Sequence, residues 1–191
     1  MGRASRADAE LHRQQVIDAA GRLFRERGID QVSIPDVMAA AGLTHGGFYR
    51  HFASKDELVA LAADAAFTTS SGIPTRTQPF AAYLADYLST DHRDAPARGC
   101  PITGLEADVA RSPAGSPVRA VFTAGVRARI DQFVEFTGGD PADPDERPAA
   151  IAELCLMVGA LALARATAGD PVSEEILAAA RAAVIPDPES A

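Results

Sequence analysis

Five side chains that donate hydrogen bonds, Thr44, His45, Tyr49, Arg50 and His51, fall within eight residues, interleaved with Gly46, Gly47, Phe48 and Phe52. An Arg guanidinium can grip a guanine edge with two hydrogen bonds, and Thr, Tyr, His and free backbone N–H groups hold phosphates. The cluster therefore suits nucleic-acid contact. Gly46 and Gly47 let the backbone come close to a partner, at about 1 kcal/mol each in helix stability relative to Ala. Metal chemistry does not fit, because His45 and His51 are six apart, off the i, i+4 spacing of a helical pair, with no acid to complete a site. Catalysis has no footing either. Three of the four histidines lie in the first third of the chain and His92 has no marked nucleophile near it in sequence, so no Ser/His/Asp or Cys/His set assembles. Cys100, between Gly99 and Pro101 at a helix start, could form a dipole-favoured thiolate, but the plainer reading is an inert buried thiol. Cys155, between Leu154 and Leu156, reads as core.

Holding such a cluster in place requires short helices. Residues 8 to 27 carry Val16, Ile17, Ala20, Leu23 and Phe24 on one face and stop at Gly28, which makes a first helix. Ser33 is a good N-cap for a second helix containing Pro35, Val37 and Met38, with Asp36 placed to favour its dipole and Gly42 ending it. Thr44 caps a third, very short helix. Ser54 and Glu57 form a capping box that opens a fourth through Leu58, Leu61 and Ala65. Helix, Gly-centred turn and short helix within twenty residues make a helix-turn-helix, in which the second helix enters a major groove. Val37, Met38, Leu43, Phe48 and Phe52 lock it together and leave the donors outside.

Net charge is −8 over 191 residues, which looks wrong for DNA until it is divided by position. Residues 1 to 58 carry eight Arg/Lys against eight Asp/Glu, so the remaining ten bases face eighteen acids in residues 59 to 191. All of the excess acid lies in the second part, and phosphate binding depends on local potential. Two unpaired cysteines, an N-terminus without an apolar run and the lack of long uninterrupted apolar stretches point to a soluble cytoplasmic protein with no membrane association.

The run LFRERGIDQVSIPDVMAAAGLTHGGFYRHFASKDELV resembles the TetR/AcrR family of bacterial transcriptional regulators. The likeness includes the Gly28 bend, the AAAG turn, the Gly46 to Tyr49 spacing, the Phe52 anchor and Lys55, and covers about residues 8 to 67. It implies DNA contacts at Ser33, Thr44, His45, Tyr49, His51 and Lys55, to which the residue types add Gly46, Gly47 and Arg50. His45 stands where Lys is common and Gly47 where a small hydroxyl or Ala is common. The segment RGCPITGLEADVAR resembles one found in some members.

Beyond a Thr68 to Pro79 linker the chain reads as helices from Phe80, Ile102, Pro117, Ile151 and Ser173, with Asp91 to Pro101 a loop. The expected fold is all-α: an N-terminal three-helix helix-turn-helix domain, 8–67 with its motif at 33–52, joined by helix four to a C-terminal helical ligand-binding and dimerisation domain, 68–191. Helix 151–168 is apolar all round and should pair, with helix 173–184, against its copy in a homodimer. Tyr83, Tyr87, Cys100, Phe122 and Met157 are candidates to line a pocket, although aromatic and Met residues at helical spacing are first of all core. The resemblance implies a dimeric repressor released from a palindromic double-stranded DNA operator by an unknown small-molecule effector, with no cofactor, no metal and no enzymatic activity. The alternative is a ligand sensor or coactivator of the same fold that acts through a protein partner without direct operator binding.

Overall fold

The computed structural model describes residues 6–69 and 79–184, without the His45 side chain, and within them the secondary structure is entirely helical. The expected contact at His45 and most of the expected linker, residues 70–78, therefore lie outside the described residues. Helix α1 (Arg6–Arg27) buries Val16, Ile17, Ala20 and Phe24. It ends at Gly28, whose φ is +85°.

Helix α2 (Ile34–Ala40) is fixed at both ends. The Ser33 hydroxyl accepts the Asp36 N–H at 3.3 Å and the Asp36 carboxylate accepts the Ser33 N–H at 2.9 Å, a complete capping box. At the other end Gly42 N–H donates to Ala39 C=O and Leu43 N–H to Met38 C=O, a Schellman pattern that needs the left-handed Gly42, φ +72°. The expected very short helix is present as a 3-10 helix, His45–Arg50, but the Thr44 side chain makes no cap bond to it. Two adjacent glycines and only six residues leave little to stabilise a wider α turn. Helix α3 (Lys55–Thr69) opens on Ser54, which accepts the Glu57 N–H at 3.1 Å, while the Glu57 carboxylate reaches past the cap to the Ala53 N–H.

The remaining helices are α4 (Phe80–Tyr87), α5 (Thr90–Asp94), α6 (Pro101–Arg111), α7 (Pro117–Phe136), α8 (Arg147–Ala166) and α9 (Val172–Val184). Helix α5 and a 3-10 turn at Pro96–Arg98 replace the loop expected over 91 to 101. Ser89 caps α5 by accepting the His92 N–H at 3.1 Å, a short-range signal hidden in a polar stretch.

Two apolar cores result. The first joins α1, α2, the 3-10 segment and α3, and takes in Leu105 and Val109 of α6 and Val118 of α7. The second holds Tyr83, Tyr87, Cys100, Phe133, Met157, Leu161 and Leu177. Helix α8 buries Ala150, Leu154, Met157, Leu161 and Ala164 on one side. Its other side leaves Leu163 58% exposed, together with Ile151 and Leu156. Cys155 is exposed on that side, correcting its reading as core: at about 100° per residue it falls off the buried stripe that holds Leu154, Met157 and Leu161. Helix α8 is long and apolar enough by composition to cross a bilayer, yet a third of it is buried within the protein.

Candidate nucleic-acid interface

The segment from Thr44 to Phe52 is built outward from two phenylalanines. Phe48 and Phe52 are buried, with ring centroids 5.3 Å apart, and the Arg13 guanidinium of α1 lies 5.4 Å from the Phe52 ring centre. Tyr49 meets Phe48 edge to face at 5.1 Å but is 69% exposed. A large aromatic held rigid at its base and bare at its hydroxyl has no folding reason to be outside. Thr44, Gly46 and Arg50 are exposed beside it and His51 is half-buried. A Cβ at Gly46 would meet nothing within 4 Å, and one at Gly47 only the Met38 methyl at 3.6 Å, so the free protein has room for a side chain at both.

Two expected contacts have internal duties. Ser33 is committed to the α2 cap, and its hydroxyl and N–H hold the Asp36 carboxyl below the usual carboxylate range. Lys55 donates from Nζ to the Ile29 carbonyl at 2.7 Å, tying the start of α3 to the turn after α1.

The five expected pocket residues all lie in or against the second core. Tyr83, Tyr87, Cys100 and Met157 are each at most 4% exposed, and the Tyr83 ring is 5.9 Å from those of Tyr87 and Phe133. The Tyr87 hydroxyl is 3.3 Å from the Thr103 hydroxyl. Burial pushes both tyrosines well above the usual phenol value. Phe122 packs where the two cores meet and lines a groove of roughly 810 Å³ between α6 and α7 with Glu106, Val109 and Arg127.

Residue types alone missed a set of polar links between the two halves. Arg25 of α1 donates to the Ala97 carbonyl at 2.5 Å, and the Ile29 N–H donates to Asp108 of α6 at 2.9 Å. Two glycines carried the available signal. A Cβ at Gly104 would lie 2.9 Å from Arg25 Cγ, and one at Gly99 would lie 2.6 Å from His92 Nε2 and 2.8 Å from Arg165 Nη2.

The family model described as "Bacterial regulatory proteins, tetR family" matches residues 16–62. The chain is 38% identical over 58 residues to the HTH-type transcriptional regulator AcrR of Shigella flexneri, covering 30% of this chain and 27% of AcrR. It is 41% identical over 59 residues to the regulator TtgR of Pseudomonas putida, covering 31% and 28%. The matched stretch thus spans under a third of either relative. The fold is also similar to that of a TetR-family regulator from Cytophaga hutchinsonii, with a TM-score of 0.71, 20% identity and coverage of 94% of this chain and 95% of that one.

Proposed function

We propose that this chain is a TetR/AcrR-family transcriptional regulator, the family that its N-terminal unit matches, and that it acts as a cytoplasmic dimeric repressor. It leaves a palindromic operator when a small molecule binds its C-terminal half. The single observation that supports DNA reading best is the face made by Thr44, Tyr49 and Arg50, exposed on a segment whose other face is locked by Phe48 and Phe52. Residues 8–67 form the reading unit, with Ser33, His45, Gly46, Gly47, His51 and Lys55 completing the contact set. Residues 68–191 form the ligand-binding and dimerising unit.

Pairing of α8 and α9 with their copies would cover Ile151, Cys155, Leu156, Leu163 and Val172, whose exposure in the single chain has a hydrophobic cost. Two recognition segments would then meet successive major grooves about 34 Å apart. The effector would enter the second core near Tyr83, Tyr87, Cys100, Phe122 and Met157 and favour a pairing with the wrong separation. No step in this cycle needs a cofactor or bond-making chemistry.

The test is a gel shift on the DNA flanking the protein's own gene at several salt concentrations. A dimer making six or more phosphate contacts should lose about a thousandfold or more in affinity between 50 and 200 mM salt. No shift at any salt concentration would favour a protein partner over an operator.

A further inference from the structure

His92 of α5 joins two other elements by both of its ring nitrogens. Nε2 is 2.9 Å from the amide nitrogen of Cys100, the residue that caps α6. Nδ1 is 2.7 Å from the Tyr87 carbonyl at the end of α4. An amide N–H only donates and a carbonyl only accepts, so the partners fix the ring as neutral with its proton on Nδ1. A second proton would set N–H against N–H, and the link to Cys100 would break.

The surroundings oppose that proton. Burial, first, and the nearby Arg165 guanidinium hold His92 below the ordinary histidine value, against the pull of the Tyr87 carbonyl. From α4 the Tyr87 ring packs edge-on at 4.8 Å. From α8 Arg165 donates to the His92 carbonyl at 3.1 Å and feels Glu106 of α6 through space. On His92's own helix Arg93 pairs with Asp94 and with Glu174 of α9, so those two carboxylates are turned to Arg93. From α1 Arg25 reaches the Ala97 carbonyl just before Cys100.

What this link holds is one end of a rigid rod. Helix α6 touches Tyr87 through Thr103 at 3.3 Å, and Gly104 lies against the stem of Arg25. One turn on, the Asp108 carboxylate holds the Ile29 N–H. The same residue, Ile29, takes Lys55, the first residue of α3, on its carbonyl. A shift of the start of α6 therefore has a bonded route to the turn behind the DNA-facing segment.

We infer that His92 is a proton-operated latch on α6: neutral, it clamps the start of α6 to the end of α4 and, through Asp108 and Ile29, keeps the DNA-binding unit in its binding arrangement; protonated, it releases both. The latch stands on its own contacts, and only its effect on affinity rests on the DNA-binding reading. Because the closed form disfavours the proton, its stability is complete above the ordinary histidine value and falls as pH drops below it. The loss is up to about tenfold per pH unit for one proton. The variant His92→Gln isolates the latch from every other pH effect, because its amide oxygen can accept from Cys100 without titrating.

The experiment compares the full-length protein with His92→Gln at pH 7.5 and 5.5. It follows amide hydrogen exchange at Cys100 and Ile29, corrected for intrinsic rates, and affinity for a duplex recovered from a random DNA library. The expected result is a loss of protection at both amides in the wild type, approaching tenfold across the interval, and a flat response in the variant. The wild-type to variant affinity ratio should fall in parallel. Equal pH responses of the two proteins would overturn the latch, and loosening at Cys100 without loosening at Ile29 would overturn its coupling. Should His92→Gln not fold, nitrogen-15 spectra of the wild-type ring decide: a neutral Nδ1–H ring titrating below the ordinary value supports the latch, and a ring charged at pH 7 removes it. Should no duplex be recovered, the DNA reading fails while the exchange data still judge the latch.

Discussion

Phe48 and Tyr49 are neighbours in sequence with opposite fates, one buried and the other 69% exposed. Substituting Phe48 by Ala should cost about 3 to 5 kcal/mol through the cavity it leaves, read as a lower chemical-denaturation midpoint. Tyr49→Ala should leave that midpoint within about 0.5 kcal/mol and weaken operator binding roughly ten- to a hundredfold, the worth of one good contact; fluorescence anisotropy measures it. This division of labour was legible in the sequence, because core aromatics and outward donors alternate over so few residues that only one arrangement buries the first and frees the second. Lys55 was legible only in position, since its bond to the Ile29 carbonyl is made in three dimensions, whereas the Ser33 cap on the Asp36 N–H could be read from local spacing. His92 was opaque. Its partners are backbone groups five residues before and eight after, and backbone groups leave no mark in a sequence.

At the scale of elements, capping signals were the most readable feature, and they bear weight where α2 is only seven residues long. Ser33→Ala should destabilise the protein by about 1 kcal/mol through loss of the box, and a circular-dichroism melt should show it. Gly42→Ala meets no steric obstacle, since nothing lies within 4 Å of the added carbon. It forces a left-handed conformation on a residue with a Cβ, at about 1 to 2 kcal/mol, a lowering of the melting temperature by roughly 2 to 8 °C. An unchanged melt would mean that the α2 turn can open at no cost. Helix α5 escaped notice for the reason that α2 did not. Its five residues, TDHRD, carry no apolar stripe, and none of them is buried. The Ser89 cap, the His92 ring and the Arg165 guanidinium on the His92 and Arg93 carbonyls hold the turn.

At the scale of the molecule, hydrophobicity around the whole circumference of α8 was plain in the sequence, but which side faces inward was not, so Cys155 was misplaced. Periodicity cannot orient a helix that is apolar all round. The face now seen to be exposed makes the proposed pairing testable: Leu163→Glu should turn a dimer into a monomer in sedimentation-velocity runs at micromolar concentration without loss of helicity. In the proposed dimer the neutral residues 1 to 58 and the acidic residues 59 to 191 would confine attraction for DNA to the paired reading units. The central claim, that a symmetric dimer reads DNA through the segment 44 to 51, is tested most directly by selection from a random duplex library with wild-type and Tyr49→Ala proteins. The wild type should enrich an inverted repeat with half-sites about ten base pairs apart, centre to centre, and Tyr49→Ala should enrich it poorly or not at all. Enrichment of no sequence, of a lone half-site, or of the same repeat equally by both proteins would contradict the account.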